Sequence, residues 1–227
     1  MERHHRHFEE KLDLLSEKIL QMGGLVEESI GQALEALVER NSDLARRVMA
    51  ADAEVDRFEL DIDRLCNETL ALQQPMARDL RLITTAMKIS TDLERIADLA
   101  VNVSERAIEL NEEPQLKPFI DIPIMARQAQ EMVHDALDAF VRRDARSARE
   151  VILRDDDLDA RMEQVFRELL TFMVEDPRTI SRATRLSFIA KYLERMGDQA
   201  TNICEQVVYM AEGRVIKHPG VTPTEGE

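Results

Sequence analysis

Apolar residues recur at alternating steps of three and four along most of this chain. The first stripe consists of Phe8, Leu12, Leu15, Ile19, Met22, Val26, Ile30, Ala33 and Leu37. A second stripe runs from Leu44 to Leu72, and a third from Ile89 to Leu110. This period places apolar side chains on one face of an α-helix, so it predicts long helices packed along a common seam. With seven Gly, seven Pro and no Trp in 227 residues, the chain is predicted to be all-α.

The prolines indicate where these helices end. Pro75 and Pro177 each stand alone between two long stripes, where the chain is expected to turn from one helix into the next. Three more prolines, at positions 114, 118 and 123, cluster at the midpoint of the chain. Helices of about 35 residues between these points would be rods of roughly 50 Å.

The second half of the chain repeats the first. Residues 33–38 (Ala-Leu-Glu-Ala-Leu-Val) align with 136–141 (Ala-Leu-Asp-Ala-Phe-Val) at an offset of 103. Further along, residues 93–98 (Leu-Glu-Arg-Ile-Ala-Asp) align with 193–198 (Leu-Glu-Arg-Met-Gly-Asp) at an offset of 100. The repeat predicts two tandem three-helix bundles, residues 1–112 and 123–212, joined by a linker at 113–122 and followed by a flexible tail at 213–227. Repetition of this kind is typical of stacked units that share a core.

The charge and cysteine content exclude several functions. Asp plus Glu number 45 against 30 Lys plus Arg, so the formal net charge is −15 and nucleic-acid phosphates would repel the chain. No stretch approaches the ~18 apolar residues of a membrane span, and the N-terminus lacks the apolar stretch of a signal peptide. Because Cys66 and Cys204 are the only cysteines, we expect a reduced, cytoplasmic protein without disulfides or a zinc framework.

Four pairs of acidic residues, each spaced by four positions, stand out from the helical background. This spacing places both carboxylates on one helix face, roughly 5–6 Å apart at Cβ. One pair lies 23 and 19 residues before Pro75 and another 19 and 23 after it, and the arrangement about Pro177 is nearly the same. In an antiparallel hairpin, residues equally distant from the turn lie at the same height. Each hairpin is therefore predicted to gather four carboxylates, namely Asp52, Asp56, Glu94 and Asp98 in the first unit and Asp155, Asp159, Glu194 and Asp198 in the second.

Four carboxylates at one level repel one another unless their charge is compensated. Two like charges ~5 Å apart repel by about 3 kcal/mol at an effective dielectric constant of 20. Arg95 and Arg195 follow the glutamates in sequence, but adjacent helical positions point about 100° apart, so neither is an obvious partner. Protonation or splaying into solvent would also relieve the repulsion. An all-oxygen set of this kind suits hard or borderline cations such as Mg²⁺, Mn²⁺, Ca²⁺ or iron.

A solvated acidic face is the alternative interpretation of the same pattern. Because 33% of the residues are charged, many acidic pairs spaced by four are expected by chance. Glu59 and Asp63 extend the acidic stripe in the first unit only, as a plain wet face would. The recurrence of the pairs at matched heights in both units supports a metal site, so both interpretations stay open.

Other polar residues are weaker candidates. Within roughly 80° of Glu94 and Glu194 on their helices lie Asn102, Glu105, Asn202 and Glu205, which would be further ligands or would orient the ligands. Glu131 and His134 have the spacing found in di-iron helical bundles, but we expect a solvent-exposed histidine. Cys204 is expected to be a buried or half-buried thiol and not a nucleophile.

Two ten-residue segments carry a resemblance to a known family. Residues 93–102 (Leu-Glu-Arg-Ile-Ala-Asp-Leu-Ala-Val-Asn) and 193–202 (Leu-Glu-Arg-Met-Gly-Asp-Gln-Ala-Thr-Asn) resemble the paired signature of the PhoU family. Residues 74–81 and 175–180 are similar to its two hairpin turns, and 22–27 to its first helix. Where this chain has Ala-Asp-Leu and Gly-Asp-Gln, the family often has Gly-Asp-His. The likeness covers nearly all of residues 6–212.

The resemblance implies a pair of three-helix bundles and a regulatory role. Members of the family are cytoplasmic and restrain the phosphate-starvation response, acting with the phosphate ABC transporter and a membrane sensor histidine kinase. Several bind iron, zinc or other metals through Glu/Asp-x-x-x-Asp motifs, which match the eight acidic residues above. We therefore expect a non-enzymatic adaptor, dimeric with itself, that binds iron, zinc, manganese or magnesium. Its partners would be the transporter's ATPase subunit and the kinase, and it would reach the membrane only through them.

Two other interpretations remain open. A di-metal carboxylate enzyme, an oxidase or hydrolase, would need an open coordination position and an activating base, and the lack of paired Glu-x-x-His motifs argues against it. A metal-free helical scaffold would use its acidic face to bind a basic partner, in a salt-sensitive way that chelators do not change.

Overall fold

A computed structural model of the chain describes residues 2–216, with side chains from residue 8 onward. Within that range it is all-α, as predicted, and it contains no strand. The helices are α1 (Glu2–Val38), α2 (Ser42–Gln73), α3 (Ala77–Asn111), α4 (Asp121–Arg142), α5 (Ala145–Ile152), α6 (Asp155–Glu175) and α7 (Ile180–Glu212), with a single 3₁₀ turn at Pro177–Thr179. Of the predicted tail, residues 217–227 lie outside the described residues. Among the described helices, none is both long and apolar enough to cross a bilayer.

The first unit consists of three long helices, α1 to α3, that follow the three apolar stripes. The Asn41 side chain begins α2 by accepting a hydrogen bond from the backbone N–H of Leu44. Pro75 lies in the turn to α3, directly after Gln74 ends α2 in a left-handed conformation. Most stripe residues are buried, from Leu12 onward, but Leu72 at the end of the second stripe is 66% exposed. That part of the prediction is wrong because the stripe runs past the end of the packed seam.

The middle helix of the second unit is interrupted, which the repeat does not predict. α5 ends at Ile152 and α6 begins at Asp155, whereas the equivalent helix α2 is continuous. At the break, Leu-Arg at 153–154 stands where the first unit has Ala-Ala at 50–51. Three Asp residues at 155–157 fill the first turn of α6, where the helix dipole favours negative charge. The second unit therefore restarts its helix at the first acidic residue of its cluster.

The two units share one core, in agreement with the sequence prediction. α3 packs extensively against α7, and α1 packs against α4, so four helices meet at the centre of the molecule. Apolar side chains from all four line this junction, namely Ile30, Ala33, Leu34, Leu37, Val103, Ile122, Ala126, Ile189, Leu193 and Met196. Arg185 of α7 also donates hydrogen bonds to Glu109 and Glu113 near the end of α3. The middle helices α2 and α6 pack on the outside of their own units.

The two cysteines are free and belong to the core. Burial raises the pKa of both thiols, Cys66 and Cys204, to about 12. A thiol with such a pKa is protonated at neutral pH and is a poor nucleophile. This confirms the prediction that Cys204 is a packing residue.

Candidate metal centres

The first acidic cluster consists of Asp52 and Asp56 on α2 with Glu94 and Asp98 on α3. Burial raises the pKa of Glu94, and the charges of Asp98, Glu59, Asp56 and Asp52 raise it further. Burial likewise raises the pKa of Asp52, with further contributions from Asp56 and Asp98. The α2–α3 hairpin therefore brings the four predicted carboxylates within range of mutual repulsion, together with Glu59.

This first cluster opens towards solvent. Asp56 and Asp98 are exposed, while Asp52 and Glu94 are half-buried. Glu59 accepts a hydrogen bond of 3.0 Å from the Thr91 hydroxyl. The exposed aspartates keep their rotamer freedom, so the cluster rearranges at little cost.

The second acidic cluster, Asp155 and Asp159 on α6 with Glu194 and Asp198 on α7, lies deeper. Glu194 is only 7% exposed. Burial, reinforced by the charges of Asp198, Asp159, Glu194 and Asp156, raises the pKa of Asp155 to about 6. Two carboxylate oxygens of this cluster, Asp155 Oδ1 and Glu194 Oε2, are buried without a hydrogen-bond partner among the described residues. Such orphaned oxygens are costly to bury unless a proton or a cation satisfies them.

Gly197 explains why the second cluster is deeper than the first. A Cβ built on Gly197 would lie 2.5 Å from Leu158 Cδ2 and 3.1 Å from Asp155 Oδ1. The missing side chain therefore lets the start of α6 approach α7 closely. The equivalent residue in the first unit is Ala97, whose Cβ occupies this space.

A lysine that the sequence analysis missed neutralises part of the second cluster. Lys191 Nζ lies 2.5 Å from Glu194 Oε1, and its charge opposes the burial that raises the pKa of Asp198. Lys191 precedes Glu194 by three positions, a spacing that places two side chains on one helix face and was the available signal. The first unit has Thr91 at this position. Arg95, in contrast, points to Asp92, with 3.6 Å between Nη1 and Oδ1.

The described residues contain no preformed group of three or more His, Cys, Asp or Glu side chains placed to hold a metal ion. The donor set nevertheless fits a cation. Each cluster supplies up to eight carboxylate oxygens, the ligands preferred by hard cations, and the second cluster holds the two orphaned oxygens described above. Coordination would therefore require rotamer changes that turn carboxylates towards one point.

The weaker candidates lie apart from both clusters. His134 is exposed, as expected, and its Nδ1 lies 3.2 Å from Glu27 Oε2 on α1. Glu131 pairs with Arg154, with 3.4 Å between Oε2 and Nη2. Asn202 lines a groove between α2, α3 and α7.

Filling the space at Gly197 is expected to destabilise the protein. Gly197→Val would push its branched side chain against Leu158 and Asp155, and we expect a loss of about 1–3 kcal/mol in the free energy of unfolding. Urea denaturation followed by circular dichroism measures this. Gly24→Val is the control, because no atom lies within 4 Å of a Cβ at Gly24. An equal loss of unfolding free energy in the two variants would contradict the close approach of α6 to α7 at Gly197.

Metal-free protein is expected to lose stability as the pH rises from 4 to 7, through Asp155. Its pKa of about 6 in the folded state exceeds the ordinary 3.8, so the folded state binds more protons between these values. The resulting stabilisation is complete below pH 4 and is lost as the pH rises through 6. Allowing for solvent screening, we expect about 2 kcal/mol.

The measurement is the difference in unfolding free energy between the wild type and Asp155→Asn, in chelator, at several pH values. This difference isolates Asp155 from the other titrating groups. A difference that stays constant between pH 4 and 7 would show that Asp155 is not desolvated.

Comparisons with known proteins match the chain to one family over both repeats. The PhoU domain matches residues 19–107 and 122–207. A phosphate-specific transport system accessory protein PhoU homolog from Aquifex aeolicus is 44% identical over 208 residues, which cover 92% of this chain and 94% of that protein. The crystal structure of PhoU from Pseudomonas aeruginosa is similar with a TM-score of 0.88 at 41% identity, covering 91% of this chain and 100% of that one. PhoU from Streptococcus pneumoniae gives a TM-score of 0.87 at 28% identity, covering 93% and 100%.

Proposed function

Because this chain belongs to the PhoU family, we propose that it regulates phosphate uptake and represses phosphate-starvation signalling by binding other proteins and not by catalysis. The observation that carries the proposal is the match of both repeats, along almost the whole chain, to relatives named as phosphate-specific transport system accessory proteins. The fold supports it, because long rigid helices with a shared core offer extended surfaces to partners.

The proposed partners are the ATPase subunit of the phosphate ABC transporter and a membrane sensor histidine kinase. The chain would act from the cytoplasm as a homodimer and would hold both partners in the repressing state when phosphate is plentiful. The surplus of acidic residues supports contact with basic patches on partners. Because the chain would reach the membrane by binding these partners, it would need no membrane-spanning helix of its own.

The two acidic clusters would bind metal ions, of which iron, zinc, manganese and magnesium are the candidates. Asp52, Asp56, Glu94 and Asp98 would hold one site, and Asp155, Asp159, Glu194 and Asp198 the other. A bound cation would supply the positive charge that offsets repulsion within each cluster. In the second cluster, Lys191 already holds Glu194 in place, so Asp155 and Asp198 have the greater freedom to turn towards an ion.

The positions of the potential bases and nucleophiles favour binding over catalysis. His134 pairs with Glu27, and Cys204 is a buried thiol with a pKa near 12. Lys191 is already hydrogen-bonded to a carboxylate of the second cluster. A di-metal enzyme would need such a group beside an open coordination position.

Deletion and complementation test this function. Removing the gene from its own bacterium is expected to raise a phosphate-starvation reporter in phosphate-rich medium and to alter phosphate uptake. The wild-type gene on a plasmid should restore the low reporter level. An unchanged reporter and unchanged uptake in the deletion strain would contradict the proposal.

A further inference from the structure

One surface of the second unit carries apolar residues at three positions where the first unit has polar ones. Five large side chains at the turn end of the α6–α7 hairpin are 41 to 82% exposed: Phe166, Leu170, Val174, Ile180 and Phe188. We call these five residues the hairpin patch. Phe188 also stacks on Tyr192, with ring centroids 6.3 Å apart.

The repeat shows that the fold does not require apolar residues at Phe166, Leu170 and Phe188. The register is secure here, because buried Ile62 and Cys66 of α2 correspond to buried Val165 and Leu169 of α6. In that register three of the five residues are polar in the first unit, which has Asp63 for Phe166, Asn67 for Leu170 and Lys88 for Phe188. The other two positions, 174 and 180, are Ala71 and Leu80 there. The same helices therefore fold with polar residues at the first three positions. Exposed aromatic and aliphatic side chains that packing does not need are typical of an interaction surface.

The hairpin patch continues the face that carries the second acidic cluster. Phe166 and Leu170 each lie within about 20° of Asp159 around α6, and Ile180 is in line with Asp198 on α7. Phe166 and Phe188 lie 11 residues before and after Pro177, so they sit at the same height on the hairpin. The surface is thus apolar at the turn and acidic further along the same two helices.

The size of the patch favours a single helical segment over a second copy of the chain. Five side chains with these exposures present roughly 400–500 Å² of apolar surface, about half of the ~800 Å² per partner in a stable complex of two folded proteins. The groove between two antiparallel helices accommodates the apolar face of a third. Among the residues that the structure describes, the four carboxylates of the second acidic cluster lie near only two cationic side chains, Lys191 and Arg195, so acidic side chains outnumber basic ones at this end of the surface.

We propose that the hairpin patch and the adjoining acidic residues bind an amphipathic helix of another protein, whose apolar ridge ends in Lys or Arg residues. The apolar ridge packs between Phe166 and Phe188, and in the metal-free protein the basic end lies against Asp159 and Asp198. The proposal deepens the adaptor role proposed above by assigning the chemistry of one partner segment. It predicts that the second unit binds this segment and the first does not.

A synthetic 18-residue helical peptide tests the surface, with Leu at every third and fourth position and Lys at its C-terminal end. The probe variant is Phe166→Asp with Leu170→Asn and Phe188→Lys, which installs the residues of the first unit and leaves the net charge unchanged. Fluorescence anisotropy should show saturable one-to-one binding to the wild type and at least tenfold weaker binding to the variant. Leu60→Asn removes an exposed leucine of the first unit and should change nothing.

Several results would overturn the proposal. These are equal binding of the peptide by the triple variant, equal binding of a scrambled peptide of the same composition, or conversion of a dimer to a monomer by the triple substitution in light scattering. Tighter peptide binding after removal of residues 217–227 would assign the surface to the chain's own C-terminal segment. Circular dichroism establishes that the triple variant is folded.

The cellular reporter separates this proposal from the general function. If the wild type represses the reporter but the triple variant does not, while their metal content is equal, the hairpin patch is the partner surface. If the wild type fails to repress, the regulatory role is wrong, whatever the peptide shows. If both repress equally, the patch is not used by the adaptor.

Discussion

Replacing Ile189 by Ala is expected to lower the free energy of unfolding by about 3 kcal/mol and to weaken both halves of the chain together. Ile189 is fully buried on α7, at the junction where α1, α3, α4 and α7 meet. Truncation there removes contacts to both units and leaves a cavity that the surrounding long helices cannot collapse. The effect should therefore exceed that of a substitution confined to one unit.

Calorimetry and urea denaturation measure this effect and show whether the units are coupled. A shared core predicts one transition for the wild type and the variant, with the calorimetric enthalpy equal to the van't Hoff enthalpy. Ile180→Ala is the matched control, since it removes the same atoms from an exposed position on the same helix. Two separate transitions, of which Ile189→Ala shifts only that of the second unit, would show that the units fold independently.

Much of the fold follows from the sequence because it rests on local periodicity. A stripe with a period near 3.6 forces a helix face, and isolated prolines at 75 and 177 mark the turns. The repeat then predicts that the units stack. The gathering of the acidic residues follows from counting equal distances from a turn, which needs only antiparallel helices.

Three features that residue spacing does not predict depend on local contacts between particular side chains. The break before Asp155 coincides with three aspartates in the first turn of α6, where the helix dipole favours negative charge, and the repeat alignment gives no sign of it. The pairing of Lys191 with Glu194 is a single contact at a spacing of three, which becomes informative only once burial is known. The difference in depth between the clusters turns on one missing Cβ, at Gly197.

Whether the carboxylates of a cluster converge on one point is the feature that the sequence predicts least well. Spacing places four carboxylates at one height, but helix rotation and rotamers decide whether their oxygens point to one spot. In the first cluster Asp56 and Asp98 extend into solvent, while in the second Asp155 lies close to α7 beside Gly197. The predicted quartets therefore assemble as neighbours, and a cation would complete their alignment.

Neutralising one acidic cluster is expected to remove the metal bound there. Glu94→Gln with Asp98→Asn keeps the shape of each side chain but removes the two negative charges that α3 contributes to the first cluster. The remaining Asp52 and Asp56 cannot hold a hard cation tightly. Asp155→Asn with Glu194→Gln does the same in the second unit. Each pair should lower the bound metal by about half of the wild-type content, and combining the four substitutions should abolish binding.

The most direct test of the central claim is the metal content per chain, measured by elemental analysis of protein purified without chelators. The account predicts bound iron, zinc, manganese or magnesium in the wild type, reduced by each double substitution. Asp13→Asn with Glu17→Gln is the control, because it neutralises an exposed pair of the same spacing on α1 and should leave the content unchanged. Full retention of metal by the cluster variants, or equal loss in the α1 control, would contradict the assignment of the two acidic clusters as metal sites.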